Sequence, residues 1–105
     1  MQFKALALLV ASSVAFAQDA PGSTTVSFRV GTQNPIYGVI EGDCSFFPYN
    51  KVPVSEITII PGTLQDPTCT FYTERGCEGD NYSLQQGEHR FSRDFFVGSF
   101  KCNKS

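Results

Sequence analysis

The chain has 105 residues, a formal charge of −2, four cysteines, no tryptophan and one methionine, the first residue. Its charges are interspersed and no basic run occurs, which argues against binding nucleic acid or an anionic membrane through bulk electrostatics. No apolar run reaches the roughly 20 residues that a spanning helix needs, so a membrane span is not expected.

Met1-Gln2-Phe3-Lys4 is a short positive leader, residues 5–14 are apolar, and Ala15-Phe16-Ala17 is a small-x-small cleavage site. This is the pattern of a secretory signal peptide over residues 1–17, and it predicts a secreted, extracellular protein. Residues 18–105 then form a single domain of about 88 residues, within the length of one folding unit. Losing Lys4 leaves seven basic against ten acidic side chains, a formal charge of −3.

A domain this small buries only about 60–65 % of its unfolded surface, so its core alone leaves a thin margin. Cys44, Cys69, Cys77 and Cys102 are an even set. In an oxidising compartment each bridge typically adds about 2–4 kcal/mol. No Cys-x-x-Cys pair is present to suggest a structural zinc site. Sequence alone leaves the connectivity open.

Residues 18–23, with Pro21 and Gly22, read as a flexible leader. Residues 24–30 alternate, with Val26, Phe28 and Val30 on one face, and predict a strand. A turn cluster at 31–35 leads to a second strand over 36–40, in which Gly38 predicts a bulge or a close backbone approach. Residues 41–43 turn the chain into Cys44-Ser-Phe-Phe47. Residues 48–54 form a loop where Pro53 blocks ladder pairing. Residues 55–60 are a strong strand ended by Pro61-Gly62, and 63–68, with Pro67, are a turn-rich linker.

Beyond the linker, Thr70-Phe-Tyr-Thr73 predicts a strand of aromatic and β-branched residues. Gly76 and Gly79 mark a turn, and residues 81–84 a second short strand that closes at Gly87. Residues 88–96 have no clear period and predict a crossing segment with one short strand; 97–102 are the last strand. No stretch keeps a 3.6-residue apolar period over three turns, so the expected fold class is all-β. Asn50-x-x-x-x-Ser55 and Asp94-x-x-x-x-Ser99 each precede the last strand of a half. This echo suggests two motifs of about four strands, roughly 24–62 and 68–103, packed face to face as a sandwich.

Phe71-Tyr72-x-x-x-x-Cys77-x-Gly79, followed by Tyr82-x-Leu84-x-x-Gly87, resembles the βγ-crystallin Greek-key motif. That motif has an aromatic strand, a folded hairpin ending in x-Gly, and then aromatic-x-Leu-x-x-Gly. Its Ser before the final strand fastens the hairpin, and Ser99 and Ser55 stand at that place in the two halves. The resemblance covers 69–102 well; in the first half only the aromatic, Pro and Gly punctuation of 28–38 is kept. Cys77 stands where the family has an aromatic, and His89 where an aromatic often follows the Gly-x pair. A cysteine at the hairpin, the style of the signal peptide and the closing Ser-Phe-Lys-Cys102 are similar to small secreted cysteine-rich proteins of filamentous fungi.

The resemblance implies a βγ-crystallin-like Greek-key sandwich with Ser55, Ser99, Gly79 and Tyr72 as hairpin anchors. It also implies that the first and last strands of a motif run side by side, which favours Cys69–Cys102 with Cys44–Cys77. The competing arrangement is a local Cys69–Cys77 staple with Cys44–Cys102. Microbial proteins of this kind often bind calcium through Asn/Asp-Asn/Asp-x-x-Ser/Thr-Ser. Here Asn50, Ser55, Asp94 and Ser99 survive, but Lys51, Val54, Phe95 and Gly98 remove the oxygen ligands a hard cation needs. The site is degenerate, and neither metal nor cofactor is expected.

Catalysis is not expected either. His89 is the only imidazole, in a polar loop segment, and no nucleophile elbow, zinc-protease helix or phosphate loop occurs. The aromatic groups Phe46, Phe47 and Tyr49, and Phe95 and Phe96 with Phe91, offer a binding surface if one of each pair faces solvent. The competing reading folds these loops inward to plug the core. Asn81-Tyr-Ser83 is a glycosylation sequon whose use requires Asn81 outward and Tyr82 inward; Asn103-Lys-Ser105 lies close to the end. The function these features support is non-catalytic recognition of an extracellular protein or carbohydrate by a monomer, as in host-directed fungal effectors. The alternative is a killer-toxin-like protein or a protease inhibitor, the latter needing a rigid exposed loop such as 33–35 or Asp66-Pro67.

Overall fold

An extended backbone turns alternate side chains to opposite faces, and β1 (Ser23–Val30) follows that rule, with Thr24, Val26, Phe28 and Val30 buried. The structure, a computed structural model, describes residues 22–105; the expected signal peptide over 1–17 and residues 18–21 of the expected leader lie outside the described residues. The strands that follow are β2 (Ile36–Ile40), β3 (Ser45–Phe46), β4 (Val54–Pro61), β5 (Pro67–Glu74), β6 (Glu78–Gln85), β7 (Gly87–Arg90) and β8 (Ser99–Lys104). No helix occurs among the described residues, and none is therefore long and apolar enough to cross a membrane.

The strands form two four-stranded sheets, ordered β2-β1-β4-β7 and β3-β8-β5-β6. All pairings are antiparallel. The two-motif expectation is refined here: each sheet takes three strands from one half of the chain and the short third strand of the other. Thus β7 lies along β4, with Ile57 opposite His89, and β3 lies along β8, with Ser45 opposite Phe100.

Four phenylalanines fill the space between the sheets. Phe28, Phe47, Phe71 and Phe100 are each 2 % exposed or less. Phe28 sits 4.3 Å from Phe47, 5.2 Å from Phe100 and 5.9 Å from Phe71, centroid to centroid. Full burial of each such ring stabilises by about 1.5–3 kcal/mol, and the edge-on contacts add to this. Val26, Ile57, Ile59, Val97 and the Cys69–Cys102 bridge complete the core.

The disulfides are Cys44–Cys77 and Cys69–Cys102. Cys69 and Cys102 face each other in register on the two central strands of their sheet. Cys44, just before β3, is joined to the β5–β6 turn and so ties the first half of the chain to the second.

Three local expectations need correction. Gly38 makes no bulge: β1 and β2 pair without interruption through Thr25 and Gly38, and a Cβ there would meet nothing within 4 Å. The register shift falls instead between Arg29 and Val30, where Ser55 is the extra residue on β4. Glu88-His89-Arg90 is not a loop but β7, because the exposed edge of β4 offers it a ladder. The leader ends sooner than residue 23, since Ser23 opens β1. Gly22 also packs so closely that a Cβ would lie 2.7 Å from the Leu64 Cα. Leu64, in the linker, is buried, and Pro67 begins β5 fully buried.

Candidate functional site

The hairpin joining β5 to β6 is folded over and held by one hydroxyl. Ser99, fully buried at the start of β8, donates to the Glu74 carbonyl at 2.5 Å and accepts from the Cys77 amide at 2.8 Å. Gly79 has φ of +90°, and a Cβ there would lie 2.6 Å from the Thr73 hydroxyl, so only glycine fits without strain. Tyr72, half-buried, contributes through its backbone: its carbonyl accepts from the Gly98 amide at 2.7 Å. In the first half Ser55 makes a single, longer bond, its hydroxyl donating to the Arg29 carbonyl at 3.3 Å. All four residues therefore serve the scaffold.

That scaffold fixes the segment 91–98 between β7 and β8 at three points. The Phe91 amide donates to the Ser55 carbonyl at 3.0 Å, the Val54 amide to the Phe95 carbonyl at 2.7 Å, and the Gly98 amide to the Tyr72 carbonyl at 2.7 Å. Between these ties Phe91 and Phe95, four residues apart, stack at 4.5 Å with their planes 17° apart. Tyr82 on β6 meets Phe95 edge-on at 6.0 Å and 71°.

Tyr82 is a correction to the sequence reading. It shares a face with buried Leu84, as the alternation requires, yet is 55 % exposed. Its strand is the edge of its sheet, and Leu84 is the one buried residue of that strand. The rings line an open depression of about 400 Å³ with Arg90, Arg93 and Asp94. A second depression, of about 360 Å³, lies on the other side of 91–94 and is walled by Val52, Pro53 and Ser55.

The charges around the cleft are partly matched. Arg90 pairs with Glu56 at 3.6 Å and with Glu88 at 3.5 Å, and Arg29 pairs with Glu56 at 3.6 Å. Arg93 and Asp94, adjacent in sequence between β7 and β8, are both exposed. Exposed pairs of this kind contribute little to stability.

The other sequence-predicted residues are placed as follows. Phe47 is in the core and Tyr49 packs on it at 5.6 Å, half-buried, whereas Phe46 is 51 % exposed under the Arg75 guanidinium, 5.1 Å above its ring. Phe95 is half-buried in the cleft and Phe96 is exposed. Each adjacent pair thus sends one ring inward and one outward. Of the degenerate metal set, Ser55 and Asp94 line the same depression while Asn50 and Ser99 do not, and Ser99 is committed to the hairpin. No cluster of three or more His, Cys, Asp or Glu forms among the described residues. Asn81 is exposed on β6, opposite Tyr72 in the ladder.

His89 Nε2–H donates to the Gln85 carbonyl at 2.7 Å. The Tyr37 phenol is raised above its ordinary value of 10.0, first by burial and then by neighbouring Tyr49. It therefore stays a neutral core group. Tyr82, Arg90 and Arg93 were missed from sequence, although Arg93-Asp94 between two phenylalanines four apart is a readable signal for a polar apex flanked by stacked rings. Comparison with protein-family models, with curated proteins and with solved structures finds no match, so what the cleft does must be argued from its own geometry.

Proposed function

We propose that this is a secreted, non-catalytic recognition protein of βγ-crystallin-like Greek-key build. In this reading it is of the small cysteine-rich kind seen in host-directed fungal effectors, and it acts on an extracellular or host target. The strand order supports the family reading: each half contributes strands one, two and four to one sheet and strand three to the other. The Ser99 fastening of the folded hairpin supports it further. Two disulfides suit an oxidising compartment.

The observation that carries recognition is the segment 91–98. Four backbone hydrogen bonds at three points hold it in place, while Tyr82, Phe91 and Phe95 keep ring surface accessible beside two arginines and a carboxylate. A preorganised aromatic surface loses little entropy on binding.

The test is to apply purified, disulfide-intact protein to plant tissue and to competing microbes. The expected result is a plant response that Tyr82→Ala abolishes, without inhibition of microbial growth. Microbial killing with no plant response would reverse the order of effector and toxin. A protease-inhibitor reading is favoured by one feature. The exposed turn 31–34 is braced by reciprocal Val30–Gln33 backbone bonds of 2.9 and 3.0 Å and by the Ser27 hydroxyl on Asn34 at 3.0 Å. The other loop considered, at Asp66-Pro67, is unsuitable because Pro67 is buried. Inhibition of a protease that is lost on changing Asn34 would establish that reading instead.

A further inference from the structure

The geometry points to a neutral oligosaccharide as the ligand of the aromatic cleft. The inference rests on the cleft being the recognition surface. A pyranose ring carries C–H bonds on its flat faces and hydroxyls around its rim, so it needs two kinds of partner at right angles. The exposed ring of Tyr82, braced by the stacked Phe91 and Phe95, supplies the first: an aromatic face is the negative side of its quadrupole and attracts weakly positive C–H groups. With Tyr82 55 % exposed, that surface is open to solvent.

Arg93 and Asp94 supply the second. A guanidinium donates through a planar fork and a carboxylate accepts at two oxygens. A pair of neighbouring hydroxyls, each both donor and acceptor, can use one donor and one acceptor lining the same depression. Ser92, beside them, lines both depressions and adds a hydroxyl.

Charge then narrows the ligand. Arg90 is opposed by Glu56 and Glu88; Arg93 makes no ion pair among the described residues, but the cleft and its rim balance in charge, Arg29, Arg90 and Arg93 against Glu56, Glu88 and Asp94. A phosphate or an acidic peptide would find no surplus positive charge, whereas a neutral sugar needs none. Size narrows it further. The depressions of about 400 and 360 Å³ lie on either side of the same segment and share Phe91, Ser92, Arg93 and Asp94. A chain of several rings running past the apex would occupy both; a single sugar would fill only part of one. Because the segment is pinned by its backbone, the site is formed before the ligand arrives.

The full mature protein is titrated with two probes, the hexaoses of β-linked glucose and of β-linked N-acetylglucosamine, and with a proline-rich peptide, which also suits aromatic grooves. With no tryptophan in the chain, the intrinsic fluorescence comes from four tyrosines, of which Tyr82 is the exposed one; the difference between the parent and Tyr82→Ala isolates its share, and amide NMR shifts map the site. Saturable binding of at least one hexaose is expected, equal at low and high salt, with shifts confined to Tyr82 and residues 90–95. Tyr82→Ala and Arg93→Ala should each weaken it about tenfold or more, and Tyr82→Phe should keep most of it. Unchanged circular dichroism and melting would show that these exposed positions left the fold intact.

No saturable binding of either hexaose, binding indifferent to both alanine variants, or tighter binding of the proline-rich peptide would each overturn the assignment. The parent reading fails separately. If Tyr82→Ala abolishes the tissue response while no sugar binds, the cleft is the recognition surface and only the ligand is wrong. If the tissue response survives in that variant, the cleft is not the contact surface, and the sugar assignment falls with it.

Discussion

Ser99 shows how much one side chain can hold. Its hydroxyl is fully buried, donates to one strand end and accepts from the turn beyond it. Replacing it with alanine leaves the Glu74 carbonyl and the Cys77 amide without that partner in a partly buried position, at a cost of about 1–3 kcal/mol. The corresponding hydroxyl of Ser55 makes one 3.3 Å bond at an exposed site and should cost less than about 1 kcal/mol when removed. Denaturant midpoints of Ser99→Ala and Ser55→Ala, compared with the parent, should therefore differ clearly. Equal losses would show that the two halves are fastened alike. Sequence placed both serines before a last strand, but it carried no information on how well each bond would be made.

At the scale of elements, the disulfides do different work although both span 33 residues of sequence. Loop-closure entropy is then the same for each, roughly 4 kcal/mol in the chain-entropy estimate. Their surroundings differ. Cys69 and Cys102 are fully buried between paired strands, whereas Cys44 is exposed and Cys77 half-buried at the hairpin turn. Thiol–disulfide exchange needs access for the attacking thiolate. Cys44–Cys77 should therefore open first under mild reductant, giving a species with alkylated Cys44 and Cys77 that keeps its sheets. Mass spectrometry of the trapped protein checks this; modification of Cys69 and Cys102 at the same rate would refute it. That first opening frees the β5–β6 hairpin from β3, next to the Phe46–Arg75 contact.

At the scale of the whole molecule, the exchange of third strands makes the two halves one cooperative unit. Sheet β2-β1-β4-β7 needs β7 from the second half, and sheet β3-β8-β5-β6 needs β3 from the first. Phe28 from one half also packs on Phe71 and Phe100 from the other. A fragment ending in the linker at 63–66, or one beginning there, would expose its aromatic face and lack one edge strand. Neither is expected to fold alone, and the intact protein is expected to unfold in a single transition. Circular dichroism of the two fragments and coincident melting by two probes in the full chain test this; a folded fragment would refute it.

The amino-acid sequence by itself determined what depends on neighbours along the chain. Alternation in 24–30 and 70–73, the breaks at Pro61, Gly62 and Gly79, and the even cysteine count set the strands, the turns and the need for bridges, because extended backbone, proline and glycine act over a few residues. Only the tertiary structure decided what depends on partners far along the chain. His89 is in a strand because β4 lies beside it, and Tyr82 is exposed on a strand that tertiary pairing leaves at the sheet edge. Phe91 and Phe95 form one surface with Tyr82 of β6 because four long-range backbone bonds hold the segment 91–98 in place. The cleft is made by contacts between residues distant in sequence, and no local period encodes it.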